Sequence, residues 1–375
     1  MKEGWEYKSL GDVCEILDSR RKPITKNKRE SGTIPYYGAT GILDYVKDYI
    51  FDEKLVLLGE DGAKWGAGEN SAYIVEGKTW VNNHAHALRP KREHLIDELL
   101  VYYLNFANLQ PFITGVTVPK LNQEKMRSIE IPVPPLSEQQ SIVDYFDAAF
   151  AKIDAMKANA EKALNEAKAL FQASLREMLE PKGGWEEKAL GELSDKIGDG
   201  LHGTPKYTDD GEYFFVNGNN LENGVIEIKD NTKRVNHDEY EKFKLDLNSS
   251  TVLLSINGTI GKTAFYNGEP IILGKSACYI NVLPALLKEY LGYYLVSDGF
   301  FNYVKSNSRQ ATITNLGLKE IRRMPIPTPS LDEQQSIVAT LDSLKSKVDR
   351  LQENYNKISQ ECDALKQAIL REVFE

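Results

Sequence analysis

Apolar residues recur at alternating intervals of three and four positions along two segments of the chain, residues 135–181 and 330–375. This 3.5-residue period is typical of helices that pair through a narrow seam, and it predicts two long amphipathic helices. The residues expected in the seam are Ile142, Phe146, Ile153, Met156 and Leu170 along the first helix, and Ile337, Leu341, Val348, Leu351, Ile358, Leu365 and Ile369 along the second. Two helices that each lie on a domain of their own would show similar stripes, so that alternative stays open. The common register of the two stripes favours pairing of the helices with each other.

Each predicted helix follows a proline-rich segment, residues 132–135 and 325–329, in which extended backbone is favoured. Ser137 and Asp332 each stand three residues before a glutamine, which is the spacing of a capping box, so we expect them to cap the helices. A helix of about 43 residues is roughly 64 Å long. Because the linker at residues 181–184 is short, we expect an antiparallel pair with one globular domain at each end.

The chain is an internal duplication. The segment Ile131-Pro-Val-Pro-Pro-Leu-Ser-Glu-Gln-Gln-Ser-Ile-Val143 returns as Ile326-Pro-Thr-Pro-Ser-Leu-Asp-Glu-Gln-Gln-Ser-Ile-Val338. The opening Trp5-x-x-Lys8-x-Leu10-Gly11 returns as Trp185-x-x-Lys188-x-Leu190-Gly191, whereas the sequences between these anchors are only weakly alike. The prediction is an α+β protein with internal pseudo-two-fold symmetry. Its expected parts are a globular domain at 1–134, a helix at 135–181, a second globular domain at 182–329 and a second helix at 330–375.

Charge is distributed unevenly along the 375 residues. The net charge is −9, but residues 1–134 carry 18 basic against 19 acidic side chains, and residues 182–329 carry 17 against 19. Most of the excess acid therefore lies in the helical segments, which leaves room for a basic face on either globular domain. Three scattered cysteines, Cys14, Cys278 and Cys362, are too few for a disulfide framework or a cysteine zinc site. They favour a reducing, cytoplasmic setting.

An uncharged stretch, residues 99–119, is long enough to be weighed as a membrane span. It contains Asn105, Asn108, Pro111 and Gly115, so we expect a buried helix followed by a loop, and no membrane partner. The N-terminal residues lack the apolar core of a signal peptide.

The doubled proline-rich segment, each copy leading into a long helix, resembles the specificity subunit of type I restriction–modification systems. The opening tryptophan motif and Ile34-Pro-Tyr-Tyr-Gly38 are similar to that family too, and the resemblance covers essentially the whole chain. It implies two target-recognition domains, each reading one half of a split double-stranded DNA sequence. It also implies spacer helices that dock two methyltransferase subunits, with motor-nuclease subunits joining to form the restriction complex. The subunit itself is then expected to be non-catalytic and to need no cofactor or metal.

Candidate DNA-contacting residues lie in basic, aromatic and asparagine-rich loops. Six cations with no acid among them occupy residues 20–29, which is typical of a phosphate-contacting loop, although a solvated surface loop would look the same. Asparagine and glutamine side chains can pair with adenine edges, and asparagine is also a common turn residue. The candidates in the first half are Arg20, Arg21, Lys22, Lys26, Lys28, Arg29, Tyr36, Tyr37, Lys64, Trp65, Lys120 and Asn122. Those in the second half are Lys206, Asn217, Asn219, Asn220, Asn257, Lys262, Arg309 and Gln310.

Other motifs are weaker. Residues 258–263 look like a phosphate-binding loop but are two residues short of the full pattern. His84 and His86 have strand spacing but no nearby third ligand, so a metal site is not expected there. Asp210, Glu227 and Lys229 loosely match a magnesium-dependent nuclease, which leaves a free-standing endonuclease as one alternative function. A purely architectural coiled-coil adaptor is the other.

Overall fold

The computed structural model describes residues 4–307, 309–310 and 314–375, and it describes only the backbone of residues 309, 310 and 314. The chain forms two compact units. Unit 1 comprises residues 1–161 and 354–375, and unit 2 comprises residues 162–353. Each of the two long helices therefore contributes one part of its length to unit 1 and the rest to unit 2.

The described residues of unit 1 form ten strands, three short α-helices, the start of the first long helix and the end of the second. The strands are β1 (Glu6–Ser9), β2 (Cys14–Ile16), β3 (Ser31–Gly38), β4 (Gly41–Val46), β5 (Phe51–Asp52), β6 (Leu55–Gly59), β7 (Ala72–Val75), β8 (Lys78–Val81), β9 (Ala85–Pro90) and β10 (Glu130–Val133). The helices are α1 (Leu10–Val13), α2 (Asp97–Phe106), α3 (Gln123–Arg127) and the long α4 (Leu136–Leu179).

Unit 2 repeats this order with additional elements. Its described strands are β11 (Glu186–Ala189), β12 (Ser194–Asp199), β13 (Tyr213–Val216), β14 (Leu221–Glu222), β15 (Val225–Ile226), β16 (Arg234–Val235), β17 (Thr251–Ser255), β18 (Thr263–Phe265), β19 (Ile271–Leu273), β20 (Ala277–Val282), β21 (Arg309–Gln310), β22 (Thr314–Asn315) and β23 (Pro325–Thr328). Its helices are α5 (His237–Phe243), α6 (Lys288–Tyr294), α7 (Asp298–Asn307), α8 (Leu318–Arg323) and the long α9 (Leu331–Phe374).

The two units share one sheet framework. A four-stranded antiparallel sheet has the order β2-β9-β6-β7 in unit 1 and β12-β20-β17-β18 in unit 2. Its register is equivalent as well, since Leu58 pairs with His86 and Leu254 with Cys278. The central strands β6 and β17 are buried along their whole length, which explains the apolar runs Leu55–Leu58 and Val252–Leu254 within them. In each unit, a strand near the N-terminal end also pairs with the proline-rich strand that precedes a long helix. The structure therefore confirms the α+β fold class.

The repeated Glu-Gln-Gln motif attaches each long helix to its own unit. The Gln139 side chain is fully buried, accepts a hydrogen bond from the backbone N–H of Ile96 at 2.9 Å and donates to the carbonyls of His94 and Pro134 at 2.7 Å. Gln334 makes the same three bonds in unit 2, to residues 285, 287 and 329. These bonds satisfy backbone groups that would otherwise be buried without a partner.

The helix starts differ from the predicted ones. The long helices begin at Leu136 and Leu331, so Asp332 already lies inside α9 rather than capping it. The Ser330 hydroxyl accepts from the Glu333 N–H at 3.3 Å, while the Ser330 N–H donates to the Glu333 carboxylate at 3.1 Å, which forms a capping box two residues earlier than expected. Ser137 likewise lies within α4. The capping prediction was wrong because each helix begins one residue before the expected cap, so Ser137 and Asp332 already have helical backbone.

Within each unit the two long helices pack antiparallel. In unit 1, Lys157 lies 3.2 Å from Asp363, and Lys366 lies 2.6 Å from Asp154, so residue numbers rise along one helix as they fall along the other. In unit 2, Lys168 donates to Gln352 at 2.7 Å. Both helices are 44 residues long.

The packed seam differs from the predicted one at three positions. Met156, Leu170 and Leu365 are 57%, 59% and 47% exposed, so the predictions for them are wrong. In unit 1, Lys157 follows Met156 and Lys366 follows Leu365, and both lysines are partly buried, because their alkyl stems cover apolar surface while their ammonium groups reach carboxylates. The other predicted seam residues are buried or partly buried: Ile142, Phe146, Ile153, Ile337, Leu341, Val348, Leu351, Ile358 and Ile369.

None of the helices that the structure describes is both long and apolar enough to cross a membrane. The uncharged stretch at residues 99–119 forms most of α2 and a following 3-10 turn at Gln110–Phe112. Leu99, Leu100 and Leu104 face the core of unit 1.

Candidate nucleic-acid interface

The basic segment at residues 20–29 is held in place by two aromatic side chains of the second sheet of unit 1, whose strand order is β4-β3-β8-β5. The Trp80 indole N–H donates to the carbonyl of Lys22 at 2.6 Å. The Tyr36 hydroxyl accepts from the backbone N–H of Ile24 at 2.9 Å. Because these bonds tie the backbone of Lys22 and Ile24 to the sheet, the exposed side chains around them project from a defined backbone.

The six cations of this segment divide by residue type. Arg20 pairs with Glu53 at 3.2 Å and Arg29 pairs with Asp44 at 3.0 Å. The hydrogen bond from Arg29 is the main reason that the pKa of the Asp44 carboxyl lies below its ordinary value. A planar guanidinium is suited to fixed carboxylates, whereas a lysine ammonium keeps its hydration. The three lysines of the segment are exposed: Lys22, Lys26 and Lys28.

A network of five ionisable side chains adjoins the segment: Asp18, Arg21, Glu60, His86 and Lys120. His86 Nδ1 lies 2.6 Å from Asp18 Oδ2, Lys120 Nζ lies 2.6 Å from Glu60 Oε1, and Arg21 contacts both carboxylates. Burial by itself would raise the pKa of each carboxyl. The hydrogen bonds from His86 to Asp18, and from Lys120 and Arg21 to Glu60, lower both pKa values overall. The network therefore joins three loops of unit 1 through charge-assisted hydrogen bonds.

Three members of this network, Asp18, Glu60 and His86, have the proximity of metal ligands, with their ligand atoms all within 4.8 Å of one another. Their chemistry is that of an ion network instead. The two carboxylates are already paired with cations, and His86 Nε2 lies 2.7 Å from the carbonyl oxygen of Leu121, to which it must donate. The ring nitrogen that faces the two carboxylates is Nδ1, so the pairing of Asp18 and Glu60 with Arg21 and Lys120 is what disfavours a metal here. The neighbouring His84 pairs with Asp61.

Several predicted contact residues of unit 1 lie inside the fold. Tyr36 is 1% exposed and Trp65 is 5% exposed, and the Trp65 N–H donates to the carbonyl of Gly59 at 3.0 Å. The prediction of DNA contact is wrong for these two, because large rings near a core are usually buried in it. Asn122 caps α3 by accepting from the Lys125 N–H at 2.9 Å, so its side-chain oxygen already has a backbone partner.

The remaining candidates of unit 1 differ in their availability. Arg21 has a side chain that is only 11% exposed, and its guanidinium is used within the network. Lys120 is 42% exposed but also paired with Glu60, as described above. Lys64 is 82% exposed, and Tyr37 is half-buried with its ring 5.9 Å from that of Tyr73.

The asparagine cluster of unit 2 forms a turn. Asn217 caps the 3-10 turn Gly218–Asn220 by accepting from the Asn219 N–H at 2.9 Å. Asn220 is buried and donates to the carbonyl of Glu227 at 3.0 Å. The prediction that Asn220 contacts DNA is therefore wrong, because its side-chain amide bonds the carbonyl of Glu227 and the backbone N–H of Asn217. Asn219 has an exposed side chain.

The other candidates of unit 2 lie in separate loops. Lys206 is exposed, Asn257 is half-buried, and Lys262 pairs with Glu222 at 2.6 Å. The backbones of Arg309 and Gln310 form the short strand β21, and their side chains lie outside what the structure describes.

The proposed nuclease residues do not form a metal site in the described part of the chain. Glu227 and Lys229 pair with each other at 2.8 Å, and Asp210 is exposed. A group of three or more possible ligands that includes Asp210 or Glu227 is not found among the described residues. A magnesium-dependent nuclease needs carboxylates that converge on one ion.

Sequence reasoning missed an exposed apolar strand beside the basic segment. Ile42, Leu43 and Tyr45 on the edge strand β4 are 47%, 53% and 50% exposed. They belong to the same strand as Asp44, which binds Arg29 of the basic segment. The signal was present in the sequence, because two consecutive apolar residues in one strand must point to opposite faces.

Comparison with known proteins gives consistent results. The family model described as the type I restriction modification DNA specificity domain matches residues 2–166 and 182–360. A type I restriction enzyme specificity subunit from Haemophilus influenzae is 42% identical over 146 residues, which are 39% of this chain and 37% of that protein. The chain therefore matches little more than a third of the length of this relative.

Two further matches extend over the whole chain. The MjaVIII specificity subunit of a type I restriction enzyme from Methanocaldococcus jannaschii is 23% identical over 414 residues, covering 98% of this chain and 91% of that protein. A solved structure from work on complex assembly and conformational transition of the type I restriction–modification system has a TM-score of 0.74 at 21% identity. It covers 100% of this chain and 98% of its own, and it shows that the fold is shared.

Proposed function

Because the chain belongs to the type I restriction–modification DNA specificity family, as a specificity subunit, we propose that it reads a split double-stranded DNA target. The globular domain at 1–134 reads one half and the domain at 182–329 reads the other. The helical segments 135–181 and 330–375 set the distance between the halves and dock two methyltransferase subunits. Motor-nuclease subunits complete the restriction complex, while this chain contributes recognition without catalysis.

The observation that carries the proposal is that one framework presents two different loops. Between β2 and β3, unit 1 has residues 17–30 with six cations, three of them exposed lysines. Between the equivalent strands β12 and β13, unit 2 has residues 200–212, with one lysine and three acids. Two unlike reading surfaces on a common scaffold are what recognition of an asymmetric, bipartite site requires.

In unit 1, Lys22, Lys26 and Lys28 neutralise phosphates, and Ile42 and Leu43 of strand β4 make apolar contacts with thymine methyl groups; the exposure of all five side chains supports these roles. In unit 2, the exposed Lys206 neutralises a phosphate and the exposed Asn219 pairs with an adenine edge. Lys64, Lys120, Asn257 and Lys262 contribute further contacts, as do Arg309 and Gln310. Most of the proposed phosphate contacts are therefore made by unit 1.

A domain exchange tests the proposal directly. Residues 1–134 are replaced with the equivalent domain of a relative, and the methylated DNA motif of cells that carry the assembled complex is sequenced. We expect one half of the motif to change while the other half and the spacer stay the same. The reciprocal exchange of residues 182–329 is the matched control and changes the other half. A motif in which both halves change would contradict independent reading, and an adaptor without reading function would show no sequence preference.

The lysine contacts are tested through the salt dependence of DNA binding by the assembled complex. Lys26→Ala with Lys28→Ala removes two proposed phosphate contacts, so the slope of log K against log salt should decrease by about 1.8. Lys162→Ala with Lys168→Ala, on the long helix, is the control and should leave the slope unchanged. An unchanged slope in the first variant would show that the basic segment does not contact phosphates.

A further inference from the structure

Unit 2 contains a cleft of about 600 Å³ at the C-terminal end of α4. Its walls include Leu179 of α4, Tyr294 at the end of α6, Ser297 in the turn before α7, Tyr303 of α7, and Pro325 and Pro327 of β23. A volume of this size is within the range of small-ligand sites and is several times that of an aromatic ring.

The equivalent place in unit 1 is filled by an aromatic side chain. Phe374, at the end of α9, has its ring 5.3 Å from that of Tyr103, 5.5 Å from Phe106 and 5.7 Å from Phe146. Phe374 is only 8% exposed and belongs to the core of unit 1. Ring-to-ring distances of this kind are typical of favourable aromatic pairs.

The two places correspond residue by residue. Tyr102 donates to Asp147 of α4, and Tyr293 donates to Asp342 of α9, which aligns α2 with α6 and fixes the comparison. The next residue is a tyrosine in both units, Tyr103 and Tyr294.

Three phenylalanines of unit 1 are replaced by smaller residues in unit 2. Phe374 corresponds to Leu179, Phe106 to Ser297 and Phe146 to Leu341. Leu179 and Ser297 line the cleft, so the space that the rings of unit 1 occupy is open in unit 2.

Three hydroxyl groups in the walls already have partners. The Tyr294 hydroxyl donates to the Pro325 carbonyl at 2.8 Å, the Ser297 hydroxyl donates to the Tyr294 carbonyl at 2.7 Å, and the Tyr303 hydroxyl donates to the Glu320 carbonyl at 2.8 Å. A polar ligand would therefore gain little from these groups, whereas an aromatic ring would contact the tyrosine rings and prolines.

The mouth of the cleft is acidic. Arg176 pairs with Asp298 at 2.9 Å, and Glu180 and Glu187 also line the cleft, so one guanidinium stands against three carboxylates. This charge favours an occupant with basic groups beside its ring.

We propose that the cleft of unit 2 receives an aromatic side chain that a partner protein presents next to basic residues, in the way that Phe374 fills the corresponding place in unit 1. The site goes beyond DNA reading, since its walls come from the end of α4, from α6 and α7, and from the proline-rich strand β23, and they contain none of the candidate DNA-contacting residues. Unit 2 therefore has a protein-docking position, whereas the corresponding position of unit 1 is occupied by Phe374 of the same chain.

The test uses the full chain and two peptide probes, acetyl-Lys-Phe-Lys-amide and acetyl-Glu-Phe-Glu-amide, with binding measured by saturation-transfer NMR. We expect the lysine peptide to bind about two- to fivefold more tightly than the glutamate peptide, because the mouth is acidic. Leu179→Phe should weaken binding of the lysine peptide about three- to tenfold, because its ring occupies the cleft. Ser297→Phe fills the cleft from the opposite wall and should do the same, so the test does not depend on one variant being well folded.

Leu365→Phe, which adds the same ring at an exposed position of α9, is the matched control and should bind like the parent protein. Equal binding by the parent and both filled variants would overturn the proposal. Binding of N-acetylphenylalaninamide as tight as that of the lysine peptide would point to a free aromatic ligand and would overturn the assignment to a protein partner. DNA reading is measured separately by the methylated motif, so failure here leaves the proposed function standing.

Discussion

Replacing Gln139 with leucine should destabilise unit 1 strongly, because this side chain links the start of α4 to the domain. Gln139 is fully buried, and its amide bonds one backbone N–H and two carbonyls. Each buried backbone group that loses its partner costs about 1–3 kcal/mol. The leucine recovers about 1–2 kcal/mol by burying more apolar surface. We therefore expect a net loss of about 3 kcal/mol in the free energy of unfolding of unit 1.

The assay is urea and thermal unfolding of the full chain, with hydrogen exchange to locate the affected segment. For a unit of this size, about 3 kcal/mol corresponds to a decrease of roughly 6–12 °C in the transition of unit 1. The amide of Ile96 should lose protection most clearly, because it donates directly to Gln139. Gln334→Leu should have the same effect on unit 2.

Gln140→Leu is the matched control, since Gln140 is the next residue of the same motif but is exposed and bonds only within the helix, to Asp144. Its effect should stay within about 0.5 kcal/mol. Equal losses for Gln139→Leu and Gln140→Leu would refute the reasoning, because burial and the three backbone bonds would then have no measurable role.

Two further predictions concern the helix pair and the ion network. Leu164→Ala in α4 should lower the free energy of unfolding by about 2–3 kcal/mol, because Leu164 is only 3% exposed. Met156→Ala in the same helix should lower it by less than about 0.5 kcal/mol, because Met156 is 57% exposed. Similar losses for the two variants in urea unfolding would favour the seam expected from the sequence. The pKa values of Asp18 and Glu60 in the folded chain lie below their ordinary values of 3.8 and 4.5. Both carboxylates therefore stabilise unit 1 at any pH above the ordinary values, and this stabilisation is lost as the pH falls through the folded pKa values. The urea midpoint of unit 1 should therefore decline below about pH 4.5, and Glu60→Gln should make that decline shallower; a pH profile that Glu60→Gln leaves unchanged would be against the assignment.

The long helices and the duplication could be predicted from the sequence because their causes are local. A heptad period and a proline-rich start act within a few residues, and they placed the helices within one or two residues of Leu136–Leu179 and Leu331–Phe374. The attachment made by Gln139 and Gln334 was not predicted, because their partners Ile96 and Leu287 lie 43 and 47 residues away along the chain.

Only the tertiary structure decided which side chains of those patterns are buried. The apolar stripe in the sequence placed Met156 in the seam, whereas the structure leaves that side chain 57% exposed. The structure buries the stem of Lys157, since Asp363 on α9 receives its ammonium group, and the two residues are 206 positions apart. A pattern within one segment carries no information about a partner so distant.

Distant partners also decide which cations of the basic segment, residues 20–29, are exposed. Its six cations are equivalent in the sequence, but Arg21 finds Glu60 39 residues away and Arg29 stacks on Tyr36, while Lys26 and Lys28 remain exposed. Composition determined that a concentrated positive charge lies in the first half of the chain. The fold determined which of these charges face solvent, because pairing of an ionisable group depends on which carboxylates the sheet brings close to it.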